Sequence, residues 1–544
     1  VYAVLQLRSQ SPSCLASANS RAFELDRLSR GSLLGSTPTV HWQFFQAELH
    51  DMENLDIPYF DYPLGSRDIH ASDRTIHDAL VEDGLETAIL RVRSTSAEDL
   101  AWQEELIRAS VVARQFRMLG DTASVAYLDA DREVTTADRD DALDDILGQL
   151  ERSGIRDPRG GLTWLTLNPV GDGTRVQLGT LDIGFYSGRT GLIAFLVSLV
   201  QRTTNADMRS RASLLLEEVV APLKDVLLHR PDYDTFRMLR DAGSGLAGTG
   251  GLLSVLGQDL SGMSAENARE SQERIVQALL NGLINRDESL DLLTGSAGCI
   301  APLVRLRTHW TDERVDRAIR LIAQRLADRQ DVAAGGWSLR PGARQLTGMS
   351  HGASGMGLAL LRAGVALDDP GFIESGARAF AYERAVFYPD KGNWPDFRGD
   401  QSDRPTMIAW CHGATGIGLS RMRALEILPD HPDAAAWREE LRAASRITAD
   451  APLRELDHLC CGSIGRATML DAVADFLKDD ELRHASARIT NSVVAYWRTS
   501  GAFRLNRFGP HTQADIPGFM MGASGIGMHL LGPDHRVRLL DLIS

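Results

Sequence analysis

One small-residue signature, Gly-x-x-Gly, recurs seven times from residue 188 onward: Gly188/Gly191, Gly248/Gly251, Gly295/Gly298, Gly352/Gly355, Gly413/Gly416, Gly462/Gly465 and Gly522/Gly525. The first glycines are spaced by 60, 47, 57, 61, 49 and 60 residues, room for two helices and their loops each time. Repetition on this scale means an array of like units, each burying its apolar face on the next. After most glycine pairs comes an apolar run such as Leu192 to Val200 or Met356 to Leu361, read as a buried helix. Between the pairs lie amphipathic stretches such as Asp312 to Gln330, where Val315, Ile319, Ile322 and Leu326 share one helical face. Inner helices apolar nearly all round would be wetted by an open solenoid. The expected fold is therefore mainly α, a closed double ring of helices, with the glycines permitting positive φ at the turns and close approach of inner helices.

The residues just before the first glycines are Ser187, Ala247, Thr294, His351, His412, Cys461 and Met521, and one step earlier Tyr186, Leu246, Leu293, Ser350, Cys411, Cys460 and Met520. Copies four to six carry His351, Cys411, His412, Cys460 and Cys461 in equivalent slots, so a closed ring gathers them at one mouth. Copies one, two and seven are expected to contribute packing only. Three of the five cysteines in the chain fall in these slots. For isolated cysteines a buried structural role is the commoner explanation; recurrence at matched positions favours a metal. Thiolate donors, with imidazole nearby, point to zinc. Three ligands leave a fourth position open, suited to an incoming thiol. Coordination deprotonates that thiol outright, removing roughly 2 kcal/mol of cost at pH 7. Three thiolates also overcompensate the ion, which keeps the bound sulfur nucleophilic.

Composition narrows the alternatives. The formal charge is -15, from 58 basic and 73 acidic residues, and no basic run is long enough to track phosphates, so no nucleic-acid partner is expected. The longest apolar run, Gly191 to Val200, is half a bilayer span, so no membrane span is expected. Five cysteines, two of them adjacent, suit reduced thiols in a cytoplasm rather than a disulfide framework. Only Lys224, Lys391 and Lys478 are lysines, an arginine bias that hints at a bacterial source. The chain opens with Val1 in a β-like pattern, Val-Tyr-Ala-Val-Leu-Gln-Leu, and reads as a piece of something longer.

Met349-Ser350-His351-Gly352-Ala353-Ser354-Gly355, Trp410-Cys411-His412-Gly413-Ala414-Thr415-Gly416 and Leu459-Cys460-Cys461-Gly462 resemble, in order and spacing, the three motifs of lanthionine cyclases. The lead-ins Gly336-Trp337 and Asn393-Trp394-Pro395-Asp396-Phe397-Arg398 look like that family too. The resemblance implies an α/α toroid of seven inner and seven outer helices. The paired Cys460-Cys461 is similar to class II lanthipeptide synthetases, the LanM type, in which a mixed α/β dehydratase domain precedes the cyclase. On that likeness residues 1–115, with Asp56-Ile57-Pro58-Tyr59-Phe60, are the carboxy-terminal remnant of the dehydratase, the acidic stretch within 116–160 is a junction, and 161–544 is the cyclase. Dehydration is not expected of this chain.

The resemblance further implies that Cys411, Cys460 and Cys461 ligate one catalytic zinc ion. The substrate is then a ribosomal precursor peptide bearing dehydroalanine or dehydrobutyrine, whose cysteine adds to the alkene to form a thioether ring. His351 matches the family's active-site histidine, to protonate the α-carbon or take the thiol proton. Asp291 matches its active-site aspartate, to orient an imidazole or raise its pKa; as a residue alone it also reads as a helix cap or a surface acid. His412 is a second proton carrier or a histidine bonded inside the mouth. Lanthipeptide export machinery is an implied partner. Two other classes fit the residues: a zinc enzyme adding glutathione to dehydrated residues, and a non-catalytic zinc toroid that binds peptides. A helical-ring glycosidase lacks its carboxylate pair in the matched slots. Cys299 reads as core, Trp337 and Trp394 as cleft walls or loop packing, His70, Asp73 and His77 as surface, and His511 has no partner spacing.

Overall fold

The computed structural model describes residues 2–29, 38–115, 124–156, 161–170, 175–257, 263–338, 342–398, 401–505 and 517–532. His511 lies outside them. The chain divides into two compact units, Val1–Leu106 and Ile107–Ser544. None of the described helices is long and apolar enough to cross a membrane.

The first unit mixes helices with one short antiparallel hairpin, Ile69–His70 against Thr75–Ile76. Its opening segment is a helix, Tyr2–Ser9, where alternation of residue types pointed to a strand. The reason lies in what is buried: Leu5 and Ser9 are four apart, on one helical face, and Leu5 packs with Leu25 and Met52 in a small core. His70 and His77 sit on the hairpin, not on a helix, each beside its own acid, Asp61 at 3.4 Å and Asp68 at 3.0 Å.

The second unit is the expected α/α toroid. Its ring helices, numbered in chain order, are α1 (Thr136–Ser153), α2 (Arg189–Arg202), α3 (Ala206–Lys224), α4 (Thr249–Leu256), α5 (Ala265–Ala278), α6 (Ile300–His309), α7 (Glu313–Arg329), α8 (Ala353–Leu367), α9 (Pro370–Val386), α10 (Ala414–Ile427), α11 (Ala434–Asp450), α12 (Ser463–Leu477), α13 (Asp480–Ser500) and α14 (Ala523–Leu530). Even-numbered helices form the inner layer and follow the seven glycine pairs; odd-numbered ones form the outer layer. Each inner helix packs on the next, and α14 packs on α2, which closes the ring. The inner layer is buried through most of its length, as in Thr190 to Leu199 of α2 and Ala353 to Leu361 of α8. The outer helices bury one stripe, as Val315, Ile319, Ile322 and Leu326 do on α7.

The glycines work differently from the expectation. Of the first glycines only Gly413 has positive φ, +83°. The second glycine of each pair is needed for close approach: a Cβ at Gly416 or Gly465 would overlap the carbonyl of Trp410 or Leu459 in its own loop. That tight return presents the preceding residues at the ring mouth, where backbone bonds join the loops in a circle. Phe185 N–H donates to Ala247 (2.8 Å), Leu246 to Leu292 (2.9 Å), Leu293 to Ser350 (3.0 Å), Met349 to Cys411 (3.0 Å), Trp410 to Cys460 (2.9 Å), Cys460 to Met520 (2.8 Å) and Met520 back to Tyr186 (2.7 Å).

The 116–160 stretch, expected as a junction, holds a structural member of the ring. Its helix α1 packs on α14 and touches α13 and α3, supplying the outer helix that the seventh repeat needs. Ala142, Leu143, Ile146, Leu147 and Leu150 form the buried stripe that the many acids of this segment obscured. Polar bonds fasten the seam: Trp497 Nε1 donates to Asp145 (2.8 Å) and Asn491 Nδ2 to the Ala130 carbonyl (2.8 Å). Asp138 closes a capping box with Thr135 and accepts from Arg498 at 2.8 Å. The Thr135 backbone N–H and hydroxyl, then Arg498, hold its carboxyl at about 2, below the ordinary 3.8. A depressed acid stabilises the fold fully above its unfolded pKa and stops doing so as pH falls through the folded one, here between about 3.8 and about 2. At pH 6 the Asp138→Asn variant is expected to unfold at lower urea concentration than the wild type. The gap should close by pH 2.

Candidate metal centre and active site

Cys411 precedes α10 and the pair Cys460-Cys461 precedes α12, adjacent inner helices whose loops are joined by the Trp410–Cys460 bond. The sulfurs of all three lie within 4.8 Å of one another, and none is in a disulfide. Cys411 and Cys460 are buried, and Cys461 is partly exposed. Tetrahedral zinc with Zn–S bonds of about 2.3 Å requires sulfurs roughly 3.8 Å apart, inside that bound, and an all-sulfur donor set suits a soft ion. The residues therefore fit a zinc ion. Hydrogen bonds from the other two thiols hold Cys411 well below its usual range, while the bond to Cys411 pushes Cys460 and Cys461 up, the mark of sulfurs packed close enough to compete for one proton each.

His351 and Asp291 meet beside the sulfurs, brought from loops three and four. His351 Nδ1 lies 2.7 Å from Asp291 Oδ2. Asp291 caps no helix, since Gly295 is the N-cap of the turn that follows; its Oδ1 instead pins the preceding loop, accepting from the backbone N–H groups of Thr294 (2.6 Å) and Gly295 (3.2 Å). Held by those loop bonds, the carboxylate fixes the imidazole in one tautomer: Nδ1 donates and Nε2 is left for chemistry. Burial disfavours the imidazolium, yet the charge and hydrogen bond of Asp291 more than reverse this, so His351 lies above its ordinary pKa. Its side chain remains 30% exposed.

His412 stands apart from that pair, 6.0 Å from His351 between ring centroids and fully buried. Its Nδ1 is 3.1 Å from the Thr347 carbonyl and its Nε2 3.2 Å from Ser350 Oγ. A carbonyl only accepts, so Nδ1 carries the proton, and Nε2 faces the Ser350 hydroxyl, whose single proton is directed to the Cys411 carbonyl at 3.2 Å. Burial, then the charge of Arg398, push its pKa down to about 4. Both nitrogens face groups of loop four, which ties that loop to loop five.

Two residues of the lead-in segment also reach the site. Arg398 grips Asp396 with Nε and Nη2 (2.9 and 2.8 Å) and places Nη2 3.2 Å from Met407 Sδ. Burial works against its charge, but Asp396 and the nearby sulfurs of Cys411 and Cys461 hold it protonated. From copy one, Tyr186 donates its hydroxyl to Cys460 Sγ at 2.8 Å, so this copy does more than pack. Its slot is that of Cys411 and Cys460, the one signal of its place that the sequence carries. Trp337 and Trp394 are buried loop packing; Trp337 Nε1 donates to the Leu326 carbonyl at 2.8 Å. Cys299 is core, its thiol donating to the Ser244 carbonyl at 2.8 Å. Among the described residues, Cys411, Cys460 and Cys461 form the cluster suited to a metal.

The family described as lanthionine synthetase C-like protein matches residues 179–537, about two thirds of the chain. The chain belongs to this family. Its lanthionine synthetase C-like domain takes in every inner helix and all six candidate residues, Asp291, His351, Cys411, His412, Cys460 and Cys461. Among solved structures it is similar to nisin cyclase, at 16% identity over 66% of this chain and 92% of that one, with a TM-score of 0.48. A possible GH105-family member from Salmonella enterica matches at 13% identity over 75% and 95%, TM-score 0.38. An unsaturated glucuronyl hydrolase from Streptococcus agalactiae matches at 10% over 69% and 86%, TM-score 0.35. No curated protein sequence matches the chain at a significant level.

Proposed function

We propose that this chain is a zinc-dependent lanthionine cyclase of the class II, LanM type, acting in a bacterial cytoplasm on a dehydrated precursor peptide. The observation that carries this reading is the convergence of three sulfurs at the mouth of a closed seven-repeat ring, with a carboxylate-held histidine beside them. Cys411, Cys460 and Cys461 would hold the ion. When bound there, zinc supplies a Lewis acid that lets a peptide thiol part with its proton at neutral pH.

The protein's own groups account for the rest. Addition forms a bond from sulfur to the alkene β-carbon and moves the π electrons toward the neighbouring carbonyl, leaving the α-carbon in need of a proton. His351 supplies it from Nε2, which has no hydrogen-bond partner among the described residues, while Asp291 fixes Nδ1 and favours the cation. His412 is assigned a positioning role, since it is fully buried with both nitrogens facing groups of loop four rather than the mouth. The Cys460-Cys461 pair supports the class II placement. Residues 1–115 are read as the end of its dehydratase, and the packing of α1 on α14, α13 and α3 supports reading 136–153 with the cyclase.

The test is to incubate the protein with a dehydrated, cysteine-containing precursor peptide and follow the loss of alkylatable thiol, because ring closure leaves the mass unchanged. Glutathione consumption in place of ring closure would replace this reading with a glutathione-adding enzyme. A zinc-loaded protein inert to every dehydrated peptide would leave a scaffold. His351→Ala is expected to keep its zinc and to lose about 10²–10⁴-fold in rate. An unchanged rate would remove the histidine from proton transfer.

A further inference from the structure

The structure points to a fourth member of the sulfur site, outside the three motifs. Tyr186 belongs to the first repeat, yet its phenol lies against the sixth repeat's Cys460 Sγ, 2.8 Å away, and is buried to 7% exposure. Two backbone bonds fix the approach. Cys460 N–H donates to the Met520 carbonyl, and Met520 N–H donates to the Tyr186 carbonyl, so the chain entering α2 and the chain entering α12 are registered through loop seven. The phenol therefore reaches one sulfur across the seam where the ring closes. A core tyrosine needs some partner for its hydroxyl, and a backbone carbonyl is the ordinary one. A cysteine sulfur that is one of three clustered sulfurs is a more specific choice.

We infer that Tyr186 is a positioning residue of the metal centre, which donates its hydroxyl proton into the Cys460 sulfur and so fixes that ligand's direction and draws off part of its charge. The inference rests on the reading of Cys411, Cys460 and Cys461 as zinc ligands. Its physical basis is that three thiolates exceed the charge of a divalent ion, so a hydrogen bond to one of them stabilises a ligand set carrying a surplus electron. Groups that hydrogen-bond to ligands in this way orient them and tune the metal, and losing one typically costs 10–100-fold in affinity or activity. Phenylalanine fills the same space and removes only the donor. Because the donor comes from the far side of the seam, an open ring would lack it.

The test compares wild type and Tyr186→Phe as full chains, with folding of both checked by thermal unfolding. Zinc affinity is measured by competition with a chromogenic chelator, and the sulfur-to-metal charge-transfer band is recorded after loading with Co²⁺. The variant is expected to bind zinc roughly 10–100-fold more weakly. Its Co²⁺ band should move to longer wavelength, because a sulfur that loses a hydrogen bond gives up electron density more easily. A packing role alone would not move that band. A variant with wild-type zinc affinity and an unshifted band would overturn the role of Tyr186 while leaving the metal centre intact. A wild type that takes up neither ion would overturn the metal reading, and this inference with it.

Discussion

Cys460→Ala is expected to abolish both bound zinc and thiol consumption. Cys460 is the buried member of the adjacent pair, its sulfur receives the Tyr186 hydroxyl, and its backbone bonds loops five, six and seven together. Alanine keeps those backbone bonds, so the ring should persist while the sulfur cluster falls from three members to two. Two sulfurs neither saturate a tetrahedral ion on the protein side nor bring the excess negative charge that keeps a fourth sulfur reactive. Without the ion a peptide thiol faces its unaided deprotonation cost, roughly 2 kcal/mol at pH 7, and loses its tether as well. Metal content by atomic absorption and thiol titration would both fall to background, with the unfolding transition of the ring retained. A variant that still held stoichiometric zinc would show that the other two sulfurs suffice.

The largest effect on stability is expected at Arg421, midway along α10 and fully buried. Its guanidinium sits between two carboxylates, Glu440 Oε2 at 2.6 Å and Glu383 Oε2 at 2.9 Å, and lies 3.8 Å from the centre of the Phe380 ring. Glu383 in turn accepts from the backbone N–H groups of Gly348 (2.8 Å) and Ser354 (3.0 Å), which fixes the loop bearing His351. Arg421→Met keeps most of the volume and strands a buried carboxylate, a class of change that costs about 3–5 kcal/mol. Urea unfolding would register it. Adding Glu383→Gln should recover part of the loss by removing the stranded charge, although the loop around His351 then keeps a weaker acceptor. Additive losses in the double variant would mean that the two residues do not act as a pair.

The repeat and the convergence of its slots were legible because the glycines mark where each inner helix starts. One alignment on them brought Cys411, Cys460, Cys461 and His351 to a common level before any distance was known. Asp291 was found by family likeness, and the structure adds that pinning its own loop and holding the imidazole are the work of different oxygens. Contacts that cross the seam were not legible. Beyond the slot it shares with Cys411 and Cys460, nothing near Tyr186 in the sequence announces a sulfur 274 positions away, and the acids of Asp138 to Asp145 masked the stripe that makes α1 a ring helix. The first helix was misread for a related reason: over a few residues, alternation and a 3.6-residue period cannot be told apart without knowing which side chains find a core.

The way the ring is fastened bears on when the enzyme can become competent during synthesis. The outermost stave, α1, is translated before any inner helix, yet its main support, α14, follows every other helix of the ring. The entropic charge for such a distant joint grows only with the logarithm of the loop, so it is tolerable once folded. Until it forms, the nascent chain is an unlatched stack. All three cysteines emerge before α14 does, but the loop that registers Tyr186 over Cys460 runs directly into that helix. The complete sulfur cage is thus a late product of assembly, and a polypeptide stopped short of residue 523 would carry every thiol without the clasp that aligns them.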